Sequence, residues 1–194
     1  MKIIDEIYSY AKENHVPIVR DKTREYLLKE IEKRKPESIL EIGTAIGYSG
    51  SLMLKCCKGK LVTLEKNENS YLIAKANFEK LGLTDRVEQI LGDAMETLQE
   101  LVNQGRTFDF IFLDGPKGQY YRYLQIIKKL VRSGSVIFAD NVEYFGMVKS
   151  NVYPHRKKTI VVSLQNYLNE VENDPKFETV VYDIDDGFAI TLVK

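Results

Sequence analysis

Apolar residues recur along the chain in two rhythms. Over residues 3–14 and 23–34 they return every three or four positions, with Leu27, Leu28 and Ile31 forming one stripe, the pattern of helices that bury one face. Beyond residue 37 the rhythm changes to short continuous runs: SILEI (38–42), LVTLE (61–65), VEQIL (87–91), FDFIFLD (108–114) and SVIFAD (135–140). Each is too apolar to keep a wet face, so each predicts a strand inside a parallel sheet. Helical stretches fall between them at 49–57, 69–80, 94–102 and 119–131, with Gly82 and Gly134 placed where helices stop. This alternation predicts a doubly wound α/β fold. The tail breaks the rhythm: a helix over 159–173 precedes FETVVYDI and FAITLVK, which flank Asp186-Gly187 and read as a hairpin that closes the sheet with an antiparallel strand. Residues 141–158 are expected to be irregular.

Composition narrows this picture. The 194 residues, 44% hydrophobic and 29% charged, fit one domain spanning 1–194. Lys and Arg balance Asp and Glu to a formal net charge of zero, so no global field draws the chain to nucleic acid, although a local basic patch would not show in the sum. The two cysteines, Cys56 and Cys57, are adjacent and give no disulfide framework, which fits a reducing cytoplasm. No apolar run approaches the roughly 20 residues of a membrane span, so neither export nor insertion is expected.

Open α/β sheets bind ligands beyond the carboxyl ends of their strands. Acids end or follow all five predicted parallel strands: Glu41, Glu65, Asp93, Asp114 and Asp140. In ILEIGTAIGYSG the glycines Gly43, Gly47 and Gly50 follow G-x-x-x-G-x-x-G, not the dinucleotide pattern G-x-G-x-x-G, and Glu41 stands where a pyrophosphate would approach. An acid disfavours phosphate. S-adenosylmethionine, with an ammonium, a sulfonium, a ribose and no phosphate, suits both acid and glycine. Glu65 is placed to accept from the ribose hydroxyls, and Asp93, in GDA, to hold the adenine amino group. Taken singly, each is more readily a solvated loop acid; in register they reinforce one another.

A second group joins Asp114 of LDGPKGQY to Asp140-Asn141 of ADNV. Two carboxylates and one amide, without His or Cys, select a hard cation such as Mg²⁺ over zinc. The bland alternative is that Asp140-Asn141 only turns the chain. Lys117 would overlook such a cation and could serve as general base.

These motifs resemble the cation-dependent O-methyltransferases of the catechol and caffeoyl-CoA type, within the class I S-adenosylmethionine-dependent fold. EIGTAIGYS is similar to that family's cofactor turn, LDGPKGQY to its Asp-x-x-Lys segment and ADN to its second metal segment. The resemblance implies a Rossmann-like, mostly parallel seven-stranded sheet with a C-terminal antiparallel hairpin strand. It implies Asp114, Asp140 and Asn141 as ligands of Mg²⁺, with Mn²⁺ as an alternative, and Lys117 with Asp114 as the catalytic pair. Around S-adenosylmethionine it implies Val19, Glu41, Gly43, Ser49, Glu65, Asp93, Ala94 and Asp114. The helices of residues 1–35 would form a lid over the cofactor, and the family resemblance further implies a homodimer. Ala45 stands where the broader methyltransferase turn has a glycine, and Gly115-Pro116 precede Lys117.

Within this family ENHVPIV, followed by the cofactor turn, is most similar to bacterial enzymes that methylate 5-hydroxyuridine at the wobble position of tRNA. That base offers a hydroxyl beside a carbonyl, two vicinal oxygens like those of a catechol. For tRNA, Arg20, Lys22, Arg24, Arg156, Lys157 and Lys158 would contact phosphates, and Tyr48, Tyr120, Tyr121 or Phe145 would stack on an extruded base. A small catechol-like or acyl-CoA acceptor is the alternative, and a noncatalytic or NAD-type binder a remote one.

Overall fold

The structure, a computed structural model, describes residues 2–194, and the chain divides into two compact units that meet in sequence at Thr97 and Leu98. The seven strands follow the order β3-β2-β1-β4-β5-β7-β6 in one mixed sheet.

The first unit opens with α1 (Lys2–Glu13) and α2 (Asp21–Arg34), which bury Ile4, Ile7 and Ala11, and Thr23, Leu27 and Ile31, at helical spacing. Full burial of a Leu or Ile contributes about 1.5–3 kcal/mol each, so these stripes hold the helices against α3 (Tyr48–Cys56). α2 ends where Lys35 turns left-handed and returns its N–H to the Ile31 carbonyl, just before Pro36. β1 (Ser38–Ile42) pairs in parallel with β2 (Lys60–Glu65), and β2 with β3 (Val87–Leu91). α4 (Glu68–Lys80) connects β2 towards β3, and α5 (Ala94–Asn103) follows β3. The Arg86 guanidinium donates to the carbonyls of Leu54, Cys57 and Gly59, closing the C-terminal end of α3.

One strand departs from expectation. β3 was predicted to be buried on both faces, yet Glu88 and Leu91 are exposed and the residues between them half-buried. It is the terminal strand of the order, and Glu88 and Gln89 are the polar positions that such an edge tolerates.

In the second unit β4 (Phe110–Leu113) and β5 (Val136–Asp140) are buried along their whole length and pair in parallel, with Phe110 opposite Val136 and Leu113 opposite Ala139. β7 (Phe188–Val193) runs antiparallel to β5, and β6 (Phe177–Tyr182) antiparallel to β7. The predicted hairpin is therefore present. Its turn carries Asp185 and Gly187 at positive φ, and a Cβ at Gly187 would fall 2.3 Å from the Glu143 Cγ, so glycine is required twice over. α6 (Tyr120–Ile127) stops short of the predicted residue 131, and α8 (Lys158–Asn173) packs against it and against β6, burying Val161, Leu164, Tyr167 and Val171. The stretch expected to be irregular holds a short α-helix, α7 (Met147–Ser150), entered through Gly146 and left through Asn151, both left-handed, and a single 3-10 turn at His155–Lys157.

Candidate cofactor turn and acid pair

In the first unit the turn between β1 and α3 is built on positive φ at Gly43 (106°), Ala45 (45°) and Gly47 (80°). The N–H groups of Gly43 and Thr44 both reach the Leu64 carbonyl at 3.1 Å, fastening the turn to β2. A Cβ at Gly47 would sit 2.9 Å from Phe78, and one at Gly50 would sit 2.9 Å from Glu41 Oε2, so two of the three glycines are needed for close packing of α3.

Glu41 was expected to face the ligand. Instead it is fully buried, and its carboxylate is turned into the fold: Oε1 accepts from the Ser49 hydroxyl and Oε2 from Thr63 Oγ1 at 2.6 Å, while Thr44 and Thr63 share a hydroxyl bond of 2.6 Å. A charge can stay buried when hydrogen bonds meet its oxygens, and here they set the orientation of Ser49 at the start of α3.

Glu65 is half-buried at the end of β2. Its Oε2 accepts the Ala45 N–H at 2.8 Å, and Oε1 accepts from Lys66 and Asn67 at 2.9 and 2.7 Å. These backbone donors lock the carboxylate to the cofactor turn while leaving it at the strand's open end. Asp93 caps α5, with Oδ1 accepting from the Met95 N–H at 2.9 Å and Oδ2 paired with Lys66 at 2.8 Å. Ala94 begins that helix, and Val19 is buried. Gly43, Ser49, Glu65, Asp93 and Ala94 thus all lie at the carboxyl ends of β1–β3, in the turns that follow them or in the first turn of the next helix.

In the second unit the register Leu113–Ala139 carries forward to Asp114 and Asp140, which leave adjacent parallel strands at one level. Neighbouring strands lie about 4.8 Å apart, so the two acids are brought together. Asp140 is 2% exposed and its Oδ1 takes the N–H of Asn141, which stands at φ 57°. Lys117 Nζ lies 2.7 Å from Asp114 Oδ1, and both side chains are mostly shielded, at 15% and 21% exposure. The donors are all oxygens, two carboxylates and an amide, which is the chemistry a hard cation takes. Among the described residues no group of three or more His, Cys, Asp or Glu is gathered as a metal centre, here or elsewhere; the acid pair contributes two carboxylates, and the third oxygen donor would be the Asn141 amide.

The stacking role predicted for Tyr120 fails because the residue is 0% exposed, and its contacts with the strand ends were not anticipated. Its hydroxyl lies 2.8 Å from the Leu113 carbonyl and 2.9 Å from that of Asp140, and its ring lies 5.2 Å beneath Lys117 Nζ. Burial, then the charges of Asp114 and Asp140, hold the phenol well above its ordinary pKa, so it remains a donor. Tyr48 is also buried, at 4%, and cannot stack on a base. The position of Tyr120 three residues beyond Lys117, at the first turn of α6, places it beside that lysine but gives no signal of the two strand ends its hydroxyl meets.

The predicted basic cluster divides. Arg24 is occupied locally: it donates to Tyr48 Oη at 2.8 Å, pairs with Asp21 at 3.0 Å and lies over the Tyr8 ring. Lys157 donates to Tyr144 Oη at 2.7 Å. Both are corrections to a purely solvent-facing patch; Arg20, Lys22, Arg156 and Lys158 are exposed.

A family model for O-methyltransferases matches residues 6–194. The chain belongs to the O-methyltransferase family. A catechol O-methyltransferase from Mycobacterium tuberculosis is 31% identical over 163 residues, 80% of this chain and 71% of that protein. The match to a catechol O-methyltransferase from Niastella koreensis is 39% identical over 115 residues, 58% of this chain and about half (52%) of that protein. Among solved structures, an O-methyltransferase from Bacillus cereus in complex with SAH superposes with a TM-score of 0.90 at 29% identity, covering 100% of this chain and 91% of that one. The O-methyltransferase of tomaymycin synthesis from Streptomyces achromogenes, in complex with SAM, gives 0.89 at 25% identity, covering 100% and 90%. The Rossmann-like methyltransferase fold expected from the sequence is the fold of this O-methyltransferase, C-terminal hairpin included. An NAD-type binder is at odds with this family.

Proposed function

We propose that this O-methyltransferase uses S-adenosylmethionine and a hard divalent cation, Mg²⁺ or Mn²⁺, to methylate one of two vicinal oxygens on its acceptor. The observation that carries the reading is that Asp114 and Asp140 each directly follow a member of the pair Leu113–Ala139 on adjacent parallel strands, with Lys117 held 2.7 Å from Asp114. The turn around Gly43, with Ser49 oriented by Glu41 and Glu65 fixed by Ala45, supports S-adenosylmethionine, since it offers acids to a ligand that carries positive charge and ribose hydroxyls.

When bound, the cofactor supplies an electrophilic methyl on a sulfonium and the cation supplies positive charge that favours an ionised acceptor hydroxyl. Asp114, Asp140 and Asn141 would hold the cation, and Lys117, fixed 2.7 Å from Asp114, would serve as the general base for the acceptor hydroxyl. With S-adenosylhomocysteine and a methyl ether as the products, the proton taken up by Lys117 would be returned to water. The helices α1 and α2 cover the cofactor, the enzyme acts as a homodimer, and the free thiols of Cys56 and Cys57 suit a reducing cytoplasm. No described helix is long and apolar enough to cross a membrane.

The acceptor class with direct support is catechol-like, since two of the relatives are catechol O-methyltransferases. A second reading, 5-hydroxyuridine in the tRNA wobble position, is favoured by one feature. Phe145 is 69% exposed beside Tyr144, its ring edge-on at 5.4 Å, in the loop that follows Asn141, and exposed Arg156 and Lys158 come later in the same segment. An exposed aromatic near cations is the equipment for a base and its phosphates. Incubating the enzyme with S-adenosylmethionine and Mg²⁺, first with catechol and then with tRNA containing 5-hydroxyuridine, followed by mass analysis, separates the two. Methoxyuridine marks the second reading, a methylated catechol alone the first, and neither product refutes vicinal-oxygen chemistry.

A further inference from the structure

Two carbonyls beside the acid pair belong to the peptide groups that launch all three candidate cation donors. The Leu113 carbonyl is part of the peptide that leads into Asp114. The Asp140 carbonyl is part of the peptide that joins Asp140 to Asn141. One hydroxyl meets both, Tyr120 Oη at 2.8 and 2.9 Å. Because one proton serves two acceptors, this is a three-centre bond, and it ties the end of β4 to the end of β5 just beyond the last paired residues, Leu113 and Ala139.

The ring has a separate task. Lys117 Nζ lies 5.2 Å from its centroid, within range of a cation–π contact, while Nζ also reaches Asp114 Oδ1. The ring itself is wedged edge-on against Tyr167 of α8, with centroids 5.8 Å apart, and both tyrosines are fully buried, so neither end of Tyr120 is free to swing.

We propose that Tyr120 is the positioning residue of the cation site, its hydroxyl setting the spacing of Asp114, Asp140 and Asn141 and its ring setting the place of Lys117. This rests on reading those three residues as the cation ligands. It divides one side chain into two separable effects. Losing the hydroxyl frees the two strand ends to shift against each other, which weakens cation binding but leaves Lys117 its platform. Losing the ring as well displaces Lys117, which no excess of cation repairs.

The test is Mn²⁺ titration of the purified full-length protein, followed by the paramagnetic signal of free Mn²⁺, with S-adenosylhomocysteine affinity by calorimetry as the control. Tyr120→Phe is expected to bind Mn²⁺ about tenfold more weakly, the low end of what loss of a supporting group costs a metal site. Its S-adenosylhomocysteine affinity is expected to be unchanged, and raised Mg²⁺ restores its methylation rate. Tyr120→Leu shows weakened Mn²⁺ binding and a rate that raised Mg²⁺ does not restore. Tyr120→para-aminophenylalanine keeps a donor at the same place and should bind Mn²⁺ like the parent protein, which keeps the test decisive if the Phe variant does not fold. A Phe variant with the parent's Mn²⁺ affinity, or an amino variant as weak as a folded Phe variant, overturns the positioning role. If the parent protein binds no Mn²⁺ while still binding S-adenosylhomocysteine, the cation reading itself is what fails.

Discussion

Ser49 donates its hydroxyl to the carboxylate of Glu41 at 2.5 Å, inside the fold where Glu41 has no exposed surface. Glu41 therefore acts on the cofactor turn from beneath it. Ser49→Ala leaves a buried carboxyl group one hydrogen-bond partner short, which costs about 1–3 kcal/mol. A lowered Tm together with weaker S-adenosylhomocysteine binding by calorimetry is the expected result; a normal Tm and affinity would show that the bond has no structural weight.

Asp140→Ala should abolish methyl transfer while S-adenosylhomocysteine still binds, because Asp140 belongs to the acid pair and the cofactor turn is built by the first unit. Calorimetry and a methyl-transfer assay on the same preparation check this. Loss of both properties would mean that the substitution had acted on folding and not on the cation.

Lys117→Ala is expected to lower kcat by about 10²–10⁴, the usual contribution of a positioned acid or base, with little change in cofactor affinity. Lys117→Arg keeps the charge near Asp114 but not an amine able to accept the proton, so it should be nearly as slow. An active Arg variant would reduce Lys117 to an electrostatic role.

Arg156→Glu combined with Lys158→Glu distinguishes the two acceptors. Both side chains are exposed, whereas Lys157 is engaged with Tyr144. Methylation of tRNA should fall and become less salt-sensitive while that of a free catechol is retained. Equal tRNA turnover would remove this loop from substrate recognition.

Glu143 lies behind Gly187, and its Oε2 is buried with no hydrogen-bond partner among the described residues. Burial is the main cause that raises its pKa above the ordinary 4.5. The stability contributed by its protonated form is thus fully present below about 4.5 and is lost as pH rises through the folded-state pKa. Glu143→Gln, which mimics that form, should raise Tm by a few degrees at most near pH 7–8 and make little difference at pH 4. Melting curves at both pH values test it; an equal effect at both would contradict the charge argument.

Much of this arrangement could be read from the residues alone. The aliphatic runs of β1, β2, β4 and β5 placed the strands within one or two residues, because strands buried on both faces admit little else. β3 was misjudged because VEQIL looks apolar until its edge position gives Glu88 a solvent to face. Short α7 escaped notice because MVKS is too brief to show a period, its limits being set by left-handed Gly146 and Asn151. Strand-end acids were legible as a set, but which way each one faces was not. The direction of Glu41 depends on Thr63, 22 positions away and on another strand, and that of Arg24 on Tyr48. Tyr120 was read as an aromatic surface because nothing local in LDGPKGQYY reveals that two strand ends would converge on its hydroxyl.

In the proposed chemistry a hard cation held by Asp114, Asp140 and Asn141 makes the acceptor oxygen reactive. The most direct test of that role is the rate of catechol methylation by exhaustively chelated enzyme at saturating S-adenosylmethionine, before and after Mg²⁺ is added back. The expected result is a rate near background that returns with Mg²⁺ in the parent protein and does not return in Asp140→Ala. Full speed in the chelated enzyme would contradict it.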